Sequence, residues 1–94
     1  MRYESIVQTD TSCCLLCGRT DCLEWHHVFN ASNKKNSEKY KLMVRLCHWC
    51  HNEPPGGVHH NKEVRNHLCA LSQKAFTEKY PQLNFLSIFG KNYL

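Results

Sequence analysis

No stretch of this 94-residue chain approaches the roughly 18 consecutive apolar residues that a membrane-spanning helix needs. The residues after Met1, RYESIVQTD, lack the apolar centre of a secretory leader. No internal repeat, low-complexity tract or linker divides the sequence, so a single domain is expected. A strong excess of one charge is also missing. Twelve Lys and Arg stand against eight Asp and Glu, and the net charge of +4 permits a polyanionic partner without demanding one. These absences argue against a membrane or secreted protein and give a cytoplasmic, reducing location as the expectation.

Cysteine and histidine are abundant instead, with seven of each. An odd cysteine count does not suit a fully paired disulfide framework, and in a reducing compartment clustered cysteines favour metal ligation. A domain this small buries a modest share of its surface and often needs a metal, a disulfide or a partner chain. Cys14-x2-Cys17 and Cys47-x2-Cys50 form two knuckles about 30 residues apart. Each tight turn lets two thiolates reach one ion at about 2.3 Å, so a tetrahedral structural Zn2+ site is expected. Such a site can contribute on the order of 10 kcal/mol to folding. Cys22 lies five residues after Cys17 and leaves a Cys17/Cys22 pairing open, whereas Cys69 reads as core.

The periodicity predicts few regular elements. Residues 23–29, LEWHHVF, read as a strand with Leu23, Trp25 and Phe29 on one face, and KLMVRLC (41–47) as a second, with Leu42, Val44 and Leu46 on one face. Residues 30–40 read as a polar loop with a helical turn near Ser37 to Tyr40, and HWCHNEPPGG as a turn-rich break. The main helix is expected from Val58 to about Tyr80, with Val64, Leu68, Leu71 and Ala75 as its apolar stripe and Pro81 as its stop. LNFLSIFGKNYL is too apolar for a free tail and reads as a short packed helix or an association surface. Residues 1–12 lack periodicity and read as a loosely tied arm.

With four cysteines assigned to zinc, His26, His27, His51, His59 and His60 remain. If the strands form a hairpin crossed by the helix, these rings converge. Neutral imidazoles could then hold a second metal, with positions left for water and substrate oxygens. A histidine kept off the metal could act as general base, because its unperturbed pKa lies near neutrality. His48, inside the second knuckle, is an alternative ligand, and His67 reads as a surface or packing residue. Lys34, Lys35, Lys39, Lys41 and Arg45 form a basic segment with one acid, Glu38, which is either a solvated loop or a phosphate-contacting surface.

The segments LEWHHVF and RLCHWCHN, together with the knuckles, resemble the HNH endonucleases with a ββα-metal core, in particular the small zinc-knuckle members found in phages. VHHNKE and FGKNYL are similar to a group of short phage HNH-like proteins. The resemblance covers roughly residues 13 to 65. It implies an α+β fold: a small zinc-stabilised ββα-metal domain with a long C-terminal helix. Residues 1–12 would be an arm, 13–65 the knuckles and core, and 66–94 the helix continuation and apolar end.

By position, the resemblance makes His27 the general base and His26 and His51 metal ligands, with His59 preferred over His60 to complete the site. It implies DNA as substrate, Mg2+, Mn2+, Ni2+ or Zn2+ as the catalytic divalent metal, 5′-phosphate products, and a host cell's cytoplasm if the chain is phage-encoded. The sequence departs from the family at the middle Asn. Tyr40 and Lys41 stand directly ahead of LMVRLC, and Asn33, Asn36 or Asn52 are the substitutes. A regular strand sends His26 and His27 to opposite faces, so a bulge or strong twist is expected there. A homodimer fits, because one site nicks one strand and a pair could cut both. Two rivals remain: a non-catalytic nucleic-acid-binding zinc module, and an interaction protein that uses the apolar C-terminal segment.

Overall fold

The two alternating stretches pair antiparallel in the structure, a computed structural model that describes residues 4–30, 33–54 and 56–94. In chain order the elements are β1 (Leu23–His27), α1 (Lys34–Lys39), β2 (Met43–Cys47), α2 (His48–Asn52), α3 (Lys62–Lys79) and α4 (Phe85–Phe89). The fold is α+β: a two-stranded sheet with helices, the longest of them near the C-terminus. No described helix is long and apolar enough to cross a membrane.

The strand register decides what each face carries. Leu23 lies opposite Cys47 and His27 opposite Met43, with no residue left over between them. The bulge expected at His26 and His27 is therefore absent, and alternation sends the two rings to opposite faces. Leu42, Val44 and Leu46 face the core as expected. Their partners on β1 are Glu24 and His26, opposite Leu46 and Val44. The core-facing side of β1 is thus its polar side, while Leu23 and Trp25 are half-buried on the other.

Several boundaries differ from the expectation for local reasons. β1 stops at His27, because the Ser37 hydroxyl of α1 takes over at Phe29: it accepts from the Phe29 N–H at 3.1 Å and donates to the Phe29 carbonyl at 2.7 Å. The expected loop after β1 contains the helix α1, with residues 31–32 outside the described part. β2 starts at Met43, since Lys41 takes a left-handed φ of +61°. The segment expected as a turn-rich break opens with the helix α2.

Helix α3 starts at Lys62, not near Val58, because the Asn61 side chain caps it by accepting from the Val64 N–H. Its buried residues are Leu68, Cys69, Ser72, Gln73 and Phe76, while Leu71 is exposed. Two polar residues on the packed face hid the true stripe. Tyr80 caps the end ahead of Pro81, as expected. Phe85 and Phe89 of α4 pack on Phe29 and Phe76, which decides for the packed helix at the chain's end.

The arm is not loose over residues 5–8. It covers the second edge of β2: the Ile6 N–H donates to the Lys41 carbonyl, and the buried Gln8 side chain accepts from the Arg45 N–H at 2.8 Å. The Leu15 N–H adds a bond to the Arg45 carbonyl. Covering the edge protects it from pairing with another chain.

The Ser37 clamp gives a test. Ser37→Ala leaves the N–H and carbonyl of Phe29 unmatched in the interior, a cost of about 1–3 kcal/mol. Urea unfolding is expected to show a lower midpoint at an unchanged m-value; an unchanged midpoint contradicts the clamp.

Candidate metal centres

Cys14 and Cys17 stand on the turn ahead of β1. The Gly18 N–H donates to the Cys14 carbonyl at 2.9 Å with Gly18 in the left-handed region, and the Cys14 N–H donates to the Arg19 carbonyl at 2.8 Å. Cys47 ends β2 and caps α2, and Cys50 lies within α2. The four sulfurs all lie within 4.8 Å of one another, and Cys17 Sγ is 3.6 Å from Cys47 Sγ. A tetrahedron with metal–sulfur bonds of about 2.3 Å has an edge of roughly 3.8 Å. The donor set and spacing thus fit a structural metal such as zinc. The Cys17/Cys22 alternative is not realised: Cys22 is exposed and outside the cluster. Cys69 is buried in the core, as expected.

The thiols feel one another's charge. Burial opposes ionisation of Cys14, yet the backbone N–H groups of Cys47, Cys17 and Leu16 pull it down to about 7. Burial and the thiols of Cys47, Cys17 and Cys14 push Cys50 up. At Cys17 the backbone at Arg19 pulls downward, but burial and the Cys47 and Cys14 thiols win and raise it. A bound dication removes this conflict, because it stabilises every thiolate at once.

A second cluster sits on the core-facing side of β1. One ring nitrogen from each of His26, His51 and His59 lies within 4.8 Å of the other two. These are the three histidines that the resemblance implies as ligands. His60 is exposed, His48 is held between Glu24 and Glu53, and neither joins the cluster.

Local structure explains the convergence. His51 follows Cys50 within α2. The chain then turns back on α2: the N–H groups of Gly57, Val58 and His59 donate to the carbonyls of Glu53, Cys50 and His51. Only glycine fits at the turn, since a Cβ on Gly57 would lie 2.7 Å from the Glu53 carbonyl oxygen. The return brings His59 Nε2 to 3.0 Å from His51 Nε2.

The surroundings favour the neutral form of two of the rings, His26 and His59. Burial first, then the neighbouring His51, His59 and His27, pulls His26 down to about 3. Burial and His51 also lower His59. His26 Nε2 is buried and makes no hydrogen bond among the described residues. Glu24 Oε1 lies 2.8 Å from His51 Nδ1; with the ring hydrogen on Nδ1 donated to that carboxylate, His51 Nε2 faces His59 Nε2 with a lone pair. That contact, more than the burial opposing it, holds the Glu24 carboxyl below its usual range. Asn52 Nδ2 donates to the same Glu24 oxygen at 2.9 Å. An ion placed among the three nitrogens would satisfy the orphaned His26 atom and keep positions open for other ligands.

The remaining expected residues are divided. His27 lies on the opposite face of β1, with Nε2 3.3 Å from Glu38 Oε2 of α1. Lys34, Lys35 and Lys39 are exposed on α1. Lys41 is paired with Glu4 at 2.7 Å, and the Arg45 guanidinium stacks on Trp25, 5.0 Å from its ring centre. Of the three asparagines, Asn33 and Asn36 tie α1 to α4 through the carbonyls of Phe89 and Ile88, and Asn52 stands at the histidine cluster. Sequence reasoning missed Glu24, although it lies two residues before His26 and so on the same face. It also missed Glu38, which only the helix α1 brings to His27.

Compared with protein-family models, curated proteins and solved structures, the chain has no significant match. The geometry and chemistry of the two clusters therefore carry the functional reading.

The depressed His26 makes a pH prediction. The unfolded ring binds a proton below about 6.5 and the folded one only near 3. Its contribution to stability is therefore complete above about 6.5 and is lost as pH falls toward about 3. His26→Phe is expected to flatten the fall of the urea midpoint across that window, and an unchanged slope contradicts the burial of a neutral ring.

Proposed function

We propose that the chain is a metal-dependent, HNH-type DNA endonuclease, with a small zinc-stabilised ββα-metal core, that hydrolyses phosphodiester bonds. The observation that carries this reading is the convergence of His26, His51 and His59 beside the orphaned His26 nitrogen, with His27 as the next residue on the same strand. His26, His51 and His59 would hold a divalent ion. Mg2+, Mn2+, Ni2+ and Zn2+ are candidates, and an imidazole-rich set favours the later transition metals. When bound, the ion supplies charge stabilisation for the phosphate and the leaving 3′ oxygen.

The protein's own groups do the rest. His27 takes the proton from the attacking water. Glu38, 3.3 Å from its Nε2, stabilises the imidazolium that results. Glu24, itself held by Asn52, keeps the His51 ring in the orientation that presents Nε2. Lys34, Lys35 and Lys39 on α1, with Lys41 ahead of β2 and Arg45 on the His27 side of the sheet, hold backbone phosphates with little base reading. The products would carry 5′ phosphates, by resemblance.

One observation favours a second reading. The Glu38 carboxylate that would support a base also occupies one side of the His27 ring. A chain that only binds nucleic acid, with zinc as its scaffold, needs no free base.

Nicking of supercoiled plasmid separates the two. With Mg2+, Mn2+ or Ni2+ the wild type is expected to nick, and His27→Ala to fall at least ~100-fold, the usual share of a general base. Inert wild type and variant that still bind DNA equally would support the binding module and overturn the nuclease.

A further inference from the structure

A cavity of about 220 Å³ opens beside the histidine cluster, between the stretch after β1, the first turns of α3 and the chain's end. Lys62, Arg65 and Lys91 line it, with the amides of Asn30, Asn33 and Asn66. None of its lining residues is an acid. Lys62 and Arg65 have no salt bridge among the described residues, and the Lys91 ammonium lies over the Tyr93 ring at 5.2 Å. Three cations in one cavity without a counter-charge repel one another, and their arrangement is relieved by an anion. The floor is different in kind: Val28, Phe29 and Cys69 are buried and apolar.

The cavity lies near the candidate metal centre, though none of the three clustered histidines lines it. Arg65 is close enough to depress His59 by its charge, though less than burial and His51 do. Val28, which lines the cavity, lies two residues after His26.

We infer that this cavity seats a phosphate of the substrate strand flanking the one to be cut, with Lys62, Arg65 and Lys91 as its positioning residues. The inference rests on the nucleic-acid reading above. It places phosphate contacts beyond the end of β1, whereas the α1 lysines and Arg45 serve the His27 face. A strand held at both would cross the end of β1, where the two adjacent histidines diverge.

The test compares Lys62→Gln/Arg65→Gln with a charge-matched Lys74→Gln/Lys79→Gln control on exposed positions of the same helix. Binding of a fluorescent oligonucleotide is measured against salt, with no divalent ion added. Loss of this one phosphate contact is expected to lower the magnitude of the slope of log K against log salt by about 0.7–0.9, the share of a single contact. The control slope should stay as in the wild type. Equal slopes for the two double variants would overturn the inference. Cleavage of bis(p-nitrophenyl) phosphate, a diester with no flanking phosphate, runs in parallel. If the wild type leaves that diester and plasmid intact, catalysis fails while the salt slope still decides the cavity. Protection against heat by inorganic phosphate equal to that by the oligonucleotide would assign the cavity to a small free anion and overturn the inference as well.

Discussion

Four thiolates drawn to within 4.8 Å of one another cannot all stay charged without a shared cation, and the rest of the structure hangs on that constraint. Cys14 and Cys17 precede the sheet, while Cys47 and Cys50 join its end to α2. One ion bound to all four closes a loop of about 30 residues, which removes unfolded-chain freedom worth on the order of 3–4 kcal/mol in the cross-link model. A two-stranded ribbon is marginal by itself in water. Here it is clamped at one end by the knuckles, along one edge by the Gln8 arm, and on its core face by α3 and α4.

The first centre sets the second. His51 follows Cys50 directly, and the carbonyls of Cys50 and His51 accept the bonds that fold Val58 and His59 back. A metal that fixes Cys50 therefore fixes both the ring at 51 and the return path that delivers the ring at 59. β1 supplies the third ring from a position that a core strand would normally fill with an aliphatic residue. The polar cost of His26 on that face is met by keeping it neutral, with its ring edge-on to those of His51 and His59. Two adjacent histidines on a regular strand then serve two faces, one carrying the imidazole cluster and the other the contact with Glu38.

Much of this is legible in the residues. Paired CxxC knuckles fix the cysteine cluster because their spacing is a direct geometric statement about one ion. Two adjacent histidines followed by CxxCH point to the rings at 26 and 51 through the family resemblance, not through spacing alone. Strand alternation misled at β1: Leu23 and Trp25 look like the core face, but the pairing register, which no local pattern encodes, turns Glu24 and His26 inward. The face of α3 was hidden because Ser72 and Gln73 are buried, Gln73 holding Asn92 and the Tyr93 N–H. The partners of the histidines were harder still. Glu38 reaches His27 only because α1 forms, and Lys62, Arg65 and Lys91 share a cavity only because the chain's end returns to the first turns of α3. These are tertiary facts, spread over distances that periodicity does not span.

We propose two chemically different metal centres in this chain, one of sulfur and one of nitrogen. Titration of the metal-free protein with Co2+, followed by visible absorption, tests this most directly. The first equivalent should give the intense sulfur-to-metal bands of a tetrathiolate site. The second should add only weak bands of nitrogen and oxygen ligation, and should disappear in His26→Ala while the first remains. A single equivalent in both proteins, with only the tetrathiolate spectrum, would contradict the account and leave the histidines as packing.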